Sequence, residues 1–286
     1  MVDFHVGAGV TYIALCVFLL PVYVRFLYIF ITKVKYRALE CYRIMIQMGI
    51  VQCTATSAAF IMFGIAKILG YDPCGLTNKV IVLDPAGVRT ESVLGLALAL
   101  NRLKIICGLR YSSAVNTIVT IIAWLYGLVY VILLSTPYFD YVMDPLEFLP
   151  KYDLDKGHTK DLQFYGYYTY AAPMVLTLLI YVYIIGFLIR LRHKHNSKMR
   201  DKESSIFIYA ISKFVVDFCQ AAVFNHFHLP DTTVFNFMMS IWFILSSLML
   251  TPVLYFALYK NLRKEFFMFG KRYTHPIRSV SSGLHS

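Results

Sequence analysis

Long apolar stretches fill most of this chain, and short polar clusters separate them. Seven stretches are long enough to cross a bilayer, because a helix needs about 20 residues to span about 30 Å of hydrocarbon. They are Val6–Thr32, Arg43–Gly70, Thr77–Gly108, Ser113–Ser135, Gln163–Leu191, Ser205–Phe227 and Thr232–Tyr259. The third is the weakest, since Asp84, Arg89 and Glu91 interrupt it. It has to count as a span, or the basic clusters Lys33–Arg43 and Arg190–Lys202 would fall on opposite sides of the membrane. The predicted fold is an all-α membrane protein, a bundle of seven transmembrane helices.

The polar clusters set the orientation. Lys33, Lys35, Arg37 and Arg43 follow the first span, and Arg102, Lys104 and Arg110 the third. Arg190, Arg192, Lys194, Lys198, Arg200 and Lys202 follow the fifth, and Lys260, Arg263, Lys264, Lys271, Arg272 and Arg278 the seventh. The alternate loops hold only Lys79, Lys151, Lys156 and Lys160, diluted by Asp140, Asp144, Glu147, Asp153, Asp155 and Asp161. Basic loops stay in the cytoplasm, so the N-terminus is predicted outside, as a few residues with no ectodomain. Pro137–Leu162 is the one long external loop. Past the seventh span, YKNLRKEFFMFG (Tyr259–Gly270) alternates basic residues with Phe and Met, as an amphipathic helix on the inner membrane surface would. The division expected is a seven-helix bundle over 1–270 and a disordered cytoplasmic tail over 271–286, Ser-rich from Ser279.

Composition agrees with the pattern. The chain is 58% hydrophobic and 15% charged, against about 45–50% and 25% in soluble domains. Its mean hydropathy is +0.62. The net charge of +11 sits on the cytoplasmic loops, which argues for anionic lipid and against nucleic acid. Cys16, Cys41, Cys53, Cys74, Cys107 and Cys219 show no CxxC spacing. His226 and His228 have no third ligand at metal spacing, so no metal is expected. No charged n-region precedes the first apolar run, which is read as the insertion signal itself. The halves show no repeat, against an inverted-repeat transporter. Gly-rich phosphate loops and HExxH are absent, so neither an enzyme nor a cofactor is expected.

Function rests on positions. LALALNRLKII puts Asn101 and Arg102 at the inner end of the third span, and Trp124 lies on the fourth. The fifth carries Pro173 and Tyr181, and the seventh ends TPVLY, with Pro252 and Tyr255. Together these resemble the rhodopsin-like G-protein-coupled receptors. The segments GVTYIALCVFLLPVY, ECYRIMIQMGIVQC and LALALNRL resemble the nematode serpentine chemoreceptors, most of all class T, with class X the near neighbour. The resemblance covers essentially the whole chain. It implies a chemosensory receptor in the plasma membrane, with sensory cilia as one setting. Such a receptor binds a small-molecule or peptide cue and signals through a heterotrimeric G protein. Arg102, Asn101, Tyr181, Pro252 and Tyr255 would form the activation switch. Taken singly, Arg102 also reads as a positive-inside residue, and Tyr181 and Tyr255 as interfacial anchors.

The chain departs from that pattern at several positions. Asn101 replaces the usual acid beside Arg102, Gln52 the usual acid of helix 2, and Thr251 the usual Asn of helix 7. Gln220 and Ala222 stand where helix 6 usually has Trp and Pro. The external loop has no Cys, so Cys74 lacks the partner the resemblance implies. Charged groups inside spans are functional candidates, since each costs about 2.5–3.5 kcal/mol to insert unpaired. Glu91 is expected to replace the missing helix 2 acid, with Gln52 and Ser247 as neighbours; the alternative is a pair with Arg89 or Lys67. Lys213 and Asp217, four residues apart, pair with each other, or Asp217 joins the Glu91 network. By alignment to the family, Asp84, Tyr165, Thr169, Gln220, Phe224 and Asn225 line the ligand cavity, although Asp84 precedes Pro85 and also reads as a helix-start residue. The rival class is a transporter or channel using Glu91 and Asp217. Epitope tags at the two chain ends are expected on opposite faces of the membrane in selectively permeabilised cells; both on one face would overturn the odd number of crossings.

Overall fold

The structure, a computed structural model, describes residues 2–144, 147–153, 157–194, 201–226 and 232–267. Its helices are α1 (Val2–Thr32), α2 (Glu40–Leu69), α3 (Leu83–Cys107), α4 (Ala114–Leu134), α5 (Thr159–Lys194), α6 (Asp201–His226), α7 (Thr233–Leu258) and α8 (Lys260–Phe267). The first seven form the bundle. Six of these are long and apolar enough to cross a membrane, and α3 is the exception. The reason is its position. α3 packs against α2, α4, α5 and α6 and buries Arg89, Thr90, Asn101 and Arg102 along its length. A helix enclosed by protein is relieved of the apolarity that lipid imposes on its neighbours. On the outside of the bundle, α4 exposes Ile118, Leu125, Leu128 and Ile132 to hydrocarbon.

The ends follow local chemistry. The third span starts at Leu83 and not at Thr77. Pro85 has no N–H to give the Ile81 carbonyl, and a separate short helix, Leu76–Val80, ends just before. The Asp72 carboxylate accepts hydrogen bonds from the Thr77 and Asn78 amides at the start of that short helix, at 2.8 and 3.3 Å. Gly70 and Gly108 end α2 and α3 with φ of 76° and 67°, the left-handed cap that Gly adopts without a Cβ penalty. Tyr259 breaks from helical geometry and turns the chain into α8, where Leu262 is buried and Phe266 packs on Phe26 and Phe256. Residues 268–286, with the end of that helix at Gly270 and the expected disordered tail, lie outside the described residues, as do most of the Lys194–Lys202 cluster and His228.

Two helices contain a π-turn. In α2 it covers Gln52–Thr56, where Thr54 donates to the Ile50 carbonyl at 2.7 Å and Ser57 to that of Cys53. In α7 it covers Leu245–Met249, just ahead of Pro252, whose missing N–H leaves the Leu248 carbonyl without its helical donor. The two turns touch. Such turns gather at functional sites.

The loop between α4 and α5 departs from the all-helical expectation. β1 (Tyr141–Val142) and β2 (Lys151–Tyr152) pair antiparallel, with Tyr141 opposite Tyr152. All six cysteines are free, so the hairpin is fastened without a disulfide. Arg89 Nη2 donates to the Tyr152 hydroxyl at 3.2 Å, and the Met143 amide to Asn78 Oδ1 at 3.0 Å. Ser240 donates to the Phe148 carbonyl. The Lys67 ammonium sits 3.6 Å from the centre of the Phe148 ring. Burial pushes the phenol of Tyr141, on β1 itself, above its ordinary pKa.

Small residues let the helices close up. A Cβ on Gly64 would lie 2.7 Å from the Gly9 carbonyl oxygen, and one on Gly9 2.6 Å from that of Gly64. Backbone cannot yield as a side chain can, which is the use of small residues between membrane helices. Gly64→Leu is therefore expected to destabilise the bundle by roughly 1–3 kcal/mol, lowering the melting temperature in detergent, while Gly95→Ala, which meets nothing within 4 Å, leaves it unchanged.

Candidate functional site

Under the hairpin the bundle opens into a cavity of about 900 Å³ of empty space, continuous with the exterior. Its walls come from five helices and the hairpin. Phe60 belongs to α2, Asp84, Pro85, Val88 and Arg89 to α3, and Gln163, Tyr167 and Tyr170 to α5. Gln220 and Ala221 come from α6 and Phe243 from α7, with Tyr141, Leu149, Pro150 and Tyr152 overhead. The first turn of α3 presents Asp84, so the helix-start and the cavity readings of that residue both hold geometrically. Its carboxylate makes no hydrogen bond or ion pair among the described residues. Arg89 is 8% exposed. Its guanidinium lies 3.7 Å from the Tyr130 ring centre, and Nη1 donates to the Pro85 carbonyl at 2.9 Å.

The α5 side of the cavity differs from expectation. Tyr165 is 66% exposed, and Thr169 points out towards α4, where its hydroxyl shares a hydrogen bond with that of Tyr126 at 2.7 Å. Neither lines the cavity. Counting back from the buried Tyr181 in helical steps of four and three gives Thr177, Met174, Tyr170, Tyr167 and Gln163, and these are the lining residues. Tyr165 lies sixteen residues from Tyr181, roughly 160° round the helix. That spacing was available in the sequence. Gln220 lines the cavity as expected from alignment. Phe224 and Asn225 continue α6 beyond it, and their side chains lie outside the described residues.

Deeper in the bundle a second, partly open space shares Val88, Tyr170 and Gln220 with the first. Here the charged residues of the spans meet. Lys213 Nζ lies 2.8 Å from Glu91 Oε1 and also contacts the Asp217 carboxylate. Glu91 accepts from Gln52 Nε2, and the Gln52 side-chain carbonyl accepts from Tyr23 and, at 3.4 Å, from Thr251. Thus the Lys213–Asp217 pair and the Glu91 network are one cluster, and Glu91 pairs with neither Arg89 nor Lys67. Those two lie nearer the hairpin, engaged with Tyr130 and Tyr152 and with Phe148 respectively. Ser247 lines this space, while its neighbour Ser246 donates to Gln220 Oε1 at 2.7 Å. One ammonium between two carboxylates satisfies the demand that charges at this depth be paired.

At the opposite end of the bundle, Arg102 is 1% exposed. Its Nη2 donates to Asn101 Oδ1 at 2.7 Å, and Asn101 Nδ2 donates to Glu40 Oε2 at 2.8 Å. The carboxylate missing beside Arg102 thus comes from α2 through an amide relay, which sequence inspection of α3 alone had no means of finding. Tyr181 packs on Phe207 and Phe214, and Tyr255 stacks on Tyr209 with ring centres 5.2 Å apart. Pro252 is buried on α7 between Thr251 and this stack. Trp124 of α4 donates to Gln47 of α2 at 2.7 Å.

Comparison with known proteins agrees with this arrangement. The chain is similar to squid rhodopsin, whose crystal structure it matches with a TM-score of 0.73 at 13% identity, over 92% of this chain and 84% of that one. At that identity the match shows the fold alone. No curated sequence matches the chain. The profile of one family, described as serpentine type 7TM GPCR chemoreceptor Srt, matches residues 4–275. The chain therefore belongs to the Srt family of serpentine seven-transmembrane chemoreceptors, a receptor family of multi-pass membrane proteins.

Proposed function

We propose that this chain is a chemosensory receptor of the plasma membrane whose hairpin-covered cavity faces outside and binds a small cue, and whose Arg102 end activates a heterotrimeric G protein. The observation that carries the reading is a polar cluster that lies beneath the cavity and joins four helices at the middle of the bundle. Tyr170 and Gln220 line both cavities. From there Lys213, Glu91, Gln52 and Thr251 connect α6, α3, α2 and α7. A ligand that contacts Gln220 acts on α6 beside Lys213. Moving α6 then disturbs the only ammonium that Glu91 and Asp217 share among the described residues, and the two π-turns beside Gln52 and Ser246 give α2 and α7 room to adjust. A ligand shifts such an equilibrium only by binding one arrangement better than the other.

The Arg102 end supports the partner. Arg102 is held by neutral Asn101 and reaches a carboxylate only at one remove. Its release exposes a guanidinium suited to a G protein's carbonyls or carboxylates. The basic residues after α5 and the amphipathic α8, with Phe267 73% exposed, would engage the G protein or anionic lipid. A channel or transporter reading draws on the same Glu91, Lys213 and Asp217, but among the described residues these three groups are engaged with one another.

Two outcomes are expected from ligand-screened nucleotide exchange on a G protein in reconstituted vesicles. Arg102→Ala is expected to lower stimulated exchange by about tenfold or more, equivalent to roughly 1.4 kcal/mol or above, with surface expression retained; full activity would remove the switch. Glu40→Gln, which strips the charge from the relay, is expected to raise ligand-free exchange several-fold, whereas an unchanged basal rate would show the relay to be structural only.

A further inference from the structure

The cavity carries an acid and a guanidinium that no ion pair or hydrogen bond joins among the described residues. Asp84 and Arg89 both line it, and no ion pair joins them. Their backbones sit five residues apart on α3, about 7.5 Å along the axis, and the Arg89 side chain turns back as far as the Pro85 carbonyl. No other carboxylate reaches Arg89 among the described residues, and the Asp84 carboxylate accepts from no donor there. Arg89 is nevertheless built in with care. The Tyr130 ring lies against one face, 3.7 Å away, and Pro85 and Tyr152 accept from one nitrogen each. Gly166 closes the side, where an added Cβ would come within 3.0 Å of Nη2. The remaining N–H groups have no acceptor, and Nε is buried without one. A guanidinium offers five donors in a rigid fork suited to a carboxylate. Leaving buried donors unpaired beside a cavity is costly unless something else fills the place.

The geometry points to a small zwitterion as the cue: a free amino acid or near relative whose carboxylate docks on Arg89 and whose ammonium docks on Asp84. Charge-assisted hydrogen bonds of about 2.8 Å let the two charges of one compact ammonium–carboxylate head answer both groups. The apolar body packs on Phe60, Tyr167, Tyr170 and Phe243, reaching Gln220 at the cavity floor. A plain amine would leave Arg89 unmatched, and a plain acid would meet Asp84 uncompensated. This inference rests on the receptor reading only in taking the hairpin cavity as the cue's site.

The test measures thermal stabilisation of the full chain in lipid nanodiscs by the free amino acids, each beside its decarboxylated amine and its deaminated acid. At least one amino acid is expected to bind about tenfold or more tighter than both counterparts. Arg89→Gln is expected to abolish its advantage over the amine, and Asp84→Asn its advantage over the acid. Arg89→Lys, which keeps the charge without the fork, and Gly166→Ala, which crowds the guanidinium, serve if Arg89→Gln does not fold, and both are expected to narrow the advantage over the amine. The inference is overturned if every amino acid binds no better than its amine or its acid. It also falls if the preference survives both charge-removing substitutions. Ligand-free nucleotide exchange on the same preparations tests signalling separately, so a panel without binding but with Arg102-dependent exchange rejects the zwitterion and keeps the receptor.

Discussion

An ammonium at membrane depth finds no partner in lipid, so the position of Lys213 obliges the bundle to close around it. Glu91 from α3 and Asp217 from its own helix supply the countercharge, and α6 is thereby tied to the centre of the fold. Removing one member of such a cluster leaves an uncompensated charge, which costs about 3–5 kcal/mol. The same demand explains why α3 is polar. It is the helix against which α2, α4, α5 and α6 pack, and it brings a carboxylate to the one place where the ammonium of α6 and the amide of α2 can reach it.

The hairpin and the cavity depend on that central helix as well. Arg89, two residues before Glu91, holds Tyr152 of β2, so the floor of the cavity and its roof are anchored on neighbouring turns of α3. Where the resemblance to rhodopsin-like receptors implies a covalent tie between loop and helix, this chain uses hydrogen bonds, a cation–π contact on Phe148 and a serine on α7. Such ties are individually weak and reversible, and the roof they hold is correspondingly able to admit a ligand.

Lost receptor residues are replaced in kind both at mid-bundle and beside Arg102. Gln52 takes the place of an acid but accepts from Tyr23 and Thr251 while donating to Glu91, so the charge moves from α2 to α3 and the junction of α2, α3 and α7 survives. Asn101 takes the place of the acid beside Arg102 and passes the contact on to Glu40. In each case an amide, which both donates and accepts, does what a carboxylate alone does not.

How much of this was legible follows from the range of each interaction. The span count, the basic loops, the surface helix after α7 and the pairing of Lys213 with Asp217 are settled by residues near one another in the chain, since bilayer thickness and the 3.6-residue turn act locally. The lining face of α5 was also within reach through Tyr181, and aligning Tyr165 and Thr169 to a family in place of counting turns put the wrong face inward. The Gln52–Glu91 contact was foreseeable from depth alone. The partner of Glu91 was not: whether Arg89, Lys67 or Lys213 reaches it depends on how α2, α3 and α6 are rotated about their axes. Nor could the sequence give the hairpin over the cavity or the Glu40–Asn101–Arg102 relay. Each of these is fixed by contacts between elements far apart in the chain, and those contacts exist only once the bundle has packed.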